Sequence, residues 1–270
     1  MPELPEVETT LRGIEKSLLD TKIENLIVRD ARLRWPVPED LGERIIGRRV
    51  VSLQRRAKYI LIDFEHGSLI WHLGMSGSMR IVDSATELRK HDHIDLLLGS
   101  DVVLRYNDPR RFGCLLWAED VLIHPLLVSL GPEPLDERFD GAYLYNRARG
   151  RKVSIKSFIM DQKIVVGVGN IYASEALFLA GIRPTRKAAN ISLARYETLA
   201  EQIKQVLQRA IAQGGTTLRD FSQADGRPGY FEQQLHVYGR EKQPCTQCGK
   251  AISNKVIGQR ASYYCPACQR

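Results

Sequence analysis

Leu130-Gly131-Pro132-Glu133-Pro134-Leu135 is the stretch where the chain changes character. Two prolines and a glycine in so short a run favour neither a central strand nor a helix interior, and the hydrophobic period differs on its two sides. Upstream, residues 22–118 break into short apolar segments at 22–29, 50–53, 59–64, 69–72 and 102–106. Turn signals at Glu65-His66-Gly67-Ser68 and Gly99-Ser100-Asp101 separate some of them. Closely spaced short strands predict an antiparallel sandwich or barrel. Downstream, residues 138–149, 154–161 and 170–181 have helical character. The longest helix should begin after Ser192, with Leu199, Ile203, Val206, Leu207, Ala210 and Ile211 on one face, and stop at Gly214-Gly215. The expected class is therefore α+β, with domains at 1–132, 133–235 and 236–270.

The two ends carry the chemistry. The chain opens Met1-Pro2-Glu3-Leu4-Pro5-Glu6-Val7-Glu8. An initiator Met before a small residue is commonly removed, which leaves Pro2 as a terminal secondary amine. Amines attack electrophilic carbon and form Schiff bases with carbonyl compounds, and an α-amino group is partly unprotonated near neutrality. Glu3, tethered beside it, is a candidate general acid. From Pro5 the same stretch reads as a helix start, with Val7, Leu11, Ile14 and Leu18 forming one apolar face. Glu6 and Glu8 then complement the helix dipole and are structural.

At the other end stand Cys245-x2-Cys248 and, after sixteen intervening residues, Cys265-x2-Cys268. Two such knuckles supply four thiolates for one closed, structural zinc site. From Lys242 to the C-terminus five side chains are cationic and none is anionic, which suits phosphates. The whole chain of 270 residues has 39 Lys and Arg against 32 Asp and Glu, a net charge of +7, so nucleic acid leads as partner. Five cysteines, four of them in these knuckles, point to metal in a reducing compartment rather than to disulfides. The acidic start is unlike a secretory signal and no apolar run is long enough to span a bilayer, so the expected location is cytoplasmic. Cys114, in an apolar strand, reads as a buried thiol.

Between the ends lie weaker signals. Asn107-Asp108-Pro109-Arg110-Arg111-Phe112-Gly113 follows a strand and fits an ordinary turn, yet Phe112 beside two arginines is also a plausible wedge for propping a base stack. Met75, on the glycine-bounded Gly74-Met75-Ser76-Gly77, puts a flexible apolar side chain in a loop. Val165-Val166-Gly167-Val168-Gly169-Asn170 completes no nucleotide-binding pattern, but it places Asn170 at a helix start where backbone N–H groups can hold phosphate. Residues 221–231, with Gly226, Pro228 and Gly229, read as a mobile loop.

Taken together, the opening Pro-Glu-Leu-Pro-Glu-Val-Glu, the Gln54-Arg55-Arg56-Ala57-Lys58-Tyr59 run, the Asn107–Gly113 turn and the paired knuckles resemble bacterial formamidopyrimidine-DNA glycosylases. The resemblance implies an N-terminal antiparallel β-sandwich preceded by a helix, then a helical domain with a helix–two-turn–helix element and a four-cysteine zinc-finger hairpin. It implies a monomer that excises oxidised purines from damaged double-stranded DNA and cleaves the resulting abasic site by β,δ-elimination. Its implied catalytic residues are Pro2, Glu3, Lys58 and Arg260, and its implied DNA contacts are Met75, His91, Arg110, Phe112, Arg151, Lys156 and Asn170. Endonuclease VIII shares the terminal-proline chemistry but prefers oxidised pyrimidines, and Leu4, where that relative typically has Gly, argues against it. A non-catalytic zinc-finger DNA-binding protein would account for the charge and cysteines but not for the terminal Pro-Glu pair.

Overall fold

The computed structural model describes residues 2–99, 101–216 and 235–270. The chain divides into two compact units. Among the described residues, one holds 2–128 with 211–216, and the other holds 129–210 with 235–270.

The first unit opens with α1 (Leu4–Leu18), whose apolar positions Val7, Leu11, Ile14 and Leu18 are all buried, as their spacing requires. Two four-stranded antiparallel sheets follow. One is ordered β2 (Ser52–Arg56), β3 (Tyr59–Phe64), β4 (Gly67–His72), β8 (Cys114–Ala118). The other is ordered β1 (Asn25–Val28), β6 (Asp92–Leu97), β7 (Val102–Asn107), β5 (Ser78–Asp83). Side chains of both sheets and of α1 share one core, including Ile60, Ile62 and Trp71 from the first sheet and Ile94, Leu104 and Tyr106 from the second. This is the expected sandwich.

The sequence reading left β5 and β6 unnamed, and the reason is electrostatic. β6 reads Asp-His-Ile-Asp-Leu-Leu, with too many polar residues for a core strand, yet most of it is buried. Asp92 is paired with Arg80 at 2.8 Å and Asp95 with Arg105 at 3.0 Å, and each of the four is at most 6 % exposed. Buried charges persist when paired and hydrogen-bonded, so here two ion pairs take positions that hydrophobic patterning assigns to apolar residues. A one-turn helix, α2 (Leu41–Ile45), also went unanticipated.

The second unit is helical, with α3 (Gly141–Ala148), α4 (Ile155–Ile159), α5 (Asn170–Leu179) and most of α6 (Leu193–Ala212). The first two are shorter than their periodicity suggests because caps set their starts. Asp140 accepts from Tyr143 N at 2.6 Å, and Ser154 accepts from Ser157 N at 3.1 Å. α6 buries Leu199, Ile203, Val206, Leu207 and Ala210, and Gly214 and Gly215, both with positive φ, follow its end. The unit ends in a hairpin of β9 (Ser253–Ile257) and β10 (Arg260–Tyr264). The predicted loop at 221–231 lies outside the described residues.

Candidate functional site

In the first unit, Pro2 is buried and Glu3, 2 % exposed, occupies the N-cap of α1. Glu3 and Glu6 form a reciprocal capping box, with Glu3 N donating to Glu6 Oε2 at 2.8 Å. The other oxygen of Glu6 accepts from Thr216 N at 2.9 Å. One buried carboxylate thus fixes the backbone beside Pro2 and anchors the chain just past α6. The next acid, Glu8, accepts from Arg55 Nε at 2.9 Å, and Arg55 also donates to Ala57 O at 3.0 Å. That chain of contacts brings the two-residue turn between β2 and β3 to the start of α1. Ala57, at φ +56, and Lys58, only 4 % exposed, form this turn.

Three further loops of this unit meet at Asp108, which is 0 % exposed. Its carboxylate accepts from Ser76 Oγ at 2.9 Å, Tyr106 OH at 3.1 Å, Gly113 N at 2.9 Å and Arg110 N at 3.3 Å. Its N–H donates to His91 O at 3.1 Å, and its carbonyl accepts from His93 Nε2 at 2.9 Å. One residue therefore fixes the turns carrying Met75, His91 and Arg110 with Phe112. His91 is held at φ +74. The approach is so close that a Cβ on Gly113 would lie 1.9 Å from the Tyr106 hydroxyl oxygen, and one on Gly74, at φ +69, 2.4 Å from the Phe112 carbonyl carbon. Phe112 is 44 % exposed, with the Arg110 guanidinium 5.0 Å from its ring centroid. Burial, reinforced by Lys58 and Arg34, pushes the His72 imidazole down to about 4. A neutral His72 accepts from Gly74 N at 2.9 Å through Nδ1 and so shapes the entry to the Met75 loop.

In the second unit, Arg260 is exposed at the start of β10, opposite Ile257 across the turn residues Gly258 and Gln259, both with positive φ. Lys156, a DNA contact in what the resemblance implies, is 1 % exposed, and its ammonium donates to Ser262 Oγ at 2.8 Å and Ala261 O at 3.2 Å. Asn170 Nδ2 donates to the same carbonyl at 3.1 Å. These two side chains grip the strand that carries Arg260. Arg151 is exposed in the connection between α3 and α4.

The four knuckle cysteines place their sulfurs within 4.8 Å of one another. Cys245 and Cys268 are 3.9 Å apart at sulfur, and Cys248 and Cys265 are 3.5 Å apart. Tetrahedral Zn–S bonds of about 2.3 Å require S···S near ~3.8 Å, so the donor set fits one structural zinc ion. Burial and the surrounding Cys248, Cys265 and Cys245 push the Cys268 thiol up to about 12, a cost that a dication among four thiolates relieves.

The sequence reading placed Asp108 only in a turn, with no role of its own, and did not name Glu175. Glu175, 1 % exposed in the otherwise apolar α5, accepts from His236 N at 2.8 Å and from Val237 N and Tyr238 N at 2.9 Å. It ties the segment leading into the zinc hairpin to that helix. An acid in a helix that is apolar all round was the available signal.

Three family models match the sequence: the formamidopyrimidine-DNA glycosylase N-terminal domain over residues 1–115, the H2TH domain of the same glycosylases over 130–222, and the zinc finger found in FPG and IleRS over 242–270. The chain is 60 % identical to a formamidopyrimidine-DNA glycosylase of Methylococcus capsulatus and 59 % identical to one of Stutzerimonas stutzeri, in each case over the full length of both chains. Among solved structures it is similar to a Lactococcus lactis FPG mutant in complex with Fapy-dG-containing DNA, with TM-score 0.93, 32 % identity and full coverage of both chains. It is also similar to the Thermus thermophilus MutM (FPG) protein, with TM-score 0.88 and 37 % identity over 99 % of this chain and 98 % of that one.

Proposed function

The chain belongs to the formamidopyrimidine-DNA glycosylase family, and on that premise we propose that it excises oxidised purines, formamidopyrimidines and 8-oxoguanine, from duplex DNA and then cleaves the strand at the abasic site. The observation that carries this reading is the buried Pro2-Glu3 pair at the head of α1, held by the capping box and joined through Glu8 and Arg55 to the Lys58 turn. Once Met1 is removed, the Pro2 nitrogen attacks C1′ of the damaged nucleotide and the base departs. The proton released from the amine passes to Glu3, which delivers it to the ring oxygen as the sugar opens to an iminium. The iminium acidifies C2′–H; loss of that proton expels the 3′ phosphate, and a second elimination expels the 5′ phosphate.

Lys58 and Arg260 are assigned to those phosphates. Arg260 remains charged throughout and acts as an electrostatic stabiliser, while Lys156 and Asn170 position its strand. Met75, Arg110 and Phe112 occupy the stack vacated by the extruded nucleotide, and His91 and Arg151 hold backbone phosphates. Zinc, held by Cys245, Cys248, Cys265 and Cys268, has a structural part only, because four thiolates leave no position for substrate. No helix among the described residues is long and apolar enough to cross a membrane. We assign the protein to the cytoplasm, whose reducing poise keeps the four thiols free for metal, and it acts there as a monomer. Borohydride trapping on a duplex containing 8-oxoguanine tests the reading. An adduct mapped by mass spectrometry to Pro2 is the expected result, and an adduct on a lysine would overturn it.

A further inference from the structure

A second cationic site lies at the far end of the sandwich. Lys22, Arg48, Arg49 and His66, with Gly47 and Glu65, line a cleft of about 230 Å³. Its frame is backbone, since residues 20–23 run antiparallel to 47–50. Gly47 N donates to Ile23 O at 2.7 Å, Ile23 N to Arg48 O at 2.9 Å, Val50 N to Thr21 O at 2.9 Å and Asp20 N to Val50 O at 3.0 Å. The Arg49 guanidinium is tied to Asp20 O. The His66 ring donates through Nε2 to Arg44 O at 2.9 Å and lies 5.1 Å from the Trp117 ring. Lys22 and Arg48 are exposed, and neither has an ion-pair partner among the described residues. Glu65 is the one acid on the lining, against three permanent cations.

The position of the cleft separates it from the proposed active site. Lys58 stands immediately before β3, whereas Glu65 and His66 form the turn immediately after it. Six residues of strand at roughly 3.3 Å each put the two ends about 20 Å apart. A duplex engaged at Lys58 and the Asp108-held loops therefore leaves this cleft to a different phosphate. We propose that the cleft binds the phosphodiester backbone of a second nucleic-acid segment, so that the protein can pass between DNA segments without first dissociating into solution. Its chemistry is that of a phosphate site: a fixed guanidinium, two unpaired cationic heads and a rigid backbone rim. Lys22 and Arg48 are exposed at its rim, which suits a polymer offering many phosphates better than a small phosphate that a few mobile side chains must capture. The identity of the partner as DNA rests on the function proposed above.

The test uses the full-length zinc protein bound to a labelled duplex carrying a non-cleavable abasic analogue. Dissociation is followed after addition of unlabelled undamaged duplex at increasing concentration. With one binding site the rate is independent of competitor; with the second site it should rise at least threefold across the series. K22E/R48E, and the milder K22A/R48A, should flatten that rise while single-turnover cleavage of a lesion duplex stays within twofold of wild type. A wild-type rate that ignores competitor, or an equal rise in both variants, would overturn the second site alone. Failure to form the labelled complex would overturn both this proposal and the function on which it rests. A parallel titration with sodium pyrophosphate distinguishes the source of phosphate. Tight binding of pyrophosphate at Lys22 and Arg48, seen by NMR, with no response to duplex would refute the nucleic-acid assignment.

Discussion

Asp108→Ala should unfasten the loops proposed to face DNA and destabilise the first unit. The carboxylate accepts from two hydroxyls and two backbone N–H groups, at 2.9–3.3 Å, in a site that is 0 % exposed. A buried donor left without an acceptor costs about 1–3 kcal/mol, so four such donors set a nominal range of roughly 4–12 kcal/mol. Hydroxyls rotate and turns admit water, so the expected loss is about 3–5 kcal/mol, the size that marks a broken buried network. Asp108→Asn preserves the shape but turns an NH2 group towards donors, and about 1–2 kcal/mol is expected. Trp35, Trp71 and Trp117 all lie in the first unit, so urea unfolding followed by tryptophan fluorescence reads this unit directly. Cleavage of a lesion duplex should fall in the same order, with Ala worse than Asn. If Asp108→Ala costs less than about 1 kcal/mol and cleaves normally, water satisfies these donors and the loops are held by something else.

Cys248→Ser should lose zinc and duplex affinity together, since apparent zinc binding energies on the order of 10 kcal/mol support such hairpins; normal DNA binding by a metal-free variant would refute the coupling. Phe112→Ala should leave non-specific affinity and its salt slope nearly unchanged, because Arg110 and Arg111 remain. Losing a stack worth roughly 1–3 kcal/mol should slow excision of a paired lesion about tenfold while sparing an abasic duplex, and equal losses on both substrates would assign Phe112 to the turn alone. His72, held at about 4 against 6.5 for a free imidazole, predicts a pH effect of definite sign. Between those values the unfolded chain takes up a proton that the folded chain refuses, so stability falls as pH drops from about 6.5 to 4. His72→Gln should flatten the dependence in that window. Asp92 and Asp95, whose carboxyls are held below 3.8, act at lower pH, and parallel curves for wild type and variant would exclude His72 as the cause.

Legibility in the sequence followed the physics of each element. α1, α6 and the apolar strands β3 and β4 were readable because one face or the whole segment is apolar and nothing competes with that period. The zinc site was readable because spacing alone restricts which metals and geometries are possible. β6 was opaque because its polar residues are buried as ion pairs with Arg80 and Arg105, partners 12 and 10 residues away that no local pattern relates to it. The expectation of Lys156 as a DNA contact followed from the family resemblance. That its ammonium ends on Ser262, 106 residues later, is a tertiary fact.

The acids show most clearly why the rest was hidden. From sequence, an Asp or Glu is read as solvated, as a helix-dipole partner or as a catalytic group. Glu6, Asp108 and Glu175 are instead buried anchors, each accepting backbone N–H groups from a helix end, a turn or a connecting segment. A carboxylate suits this task because it only accepts, whereas an amide of the same shape would set two of its own donors against those N–H groups. Glu175 meets three successive N–H groups at 2.8–2.9 Å, which only an acceptor with several lone pairs can do. Met75, His91, Arg110 and Phe112, proposed to touch DNA, stand on turns, where side chains are accessible but backbone geometry is weakly determined. Buried carboxylates under those turns supply the missing determination, and so the chemistry proposed for Pro2, Met75, Phe112 and Arg260 depends on acids and cations that touch no substrate.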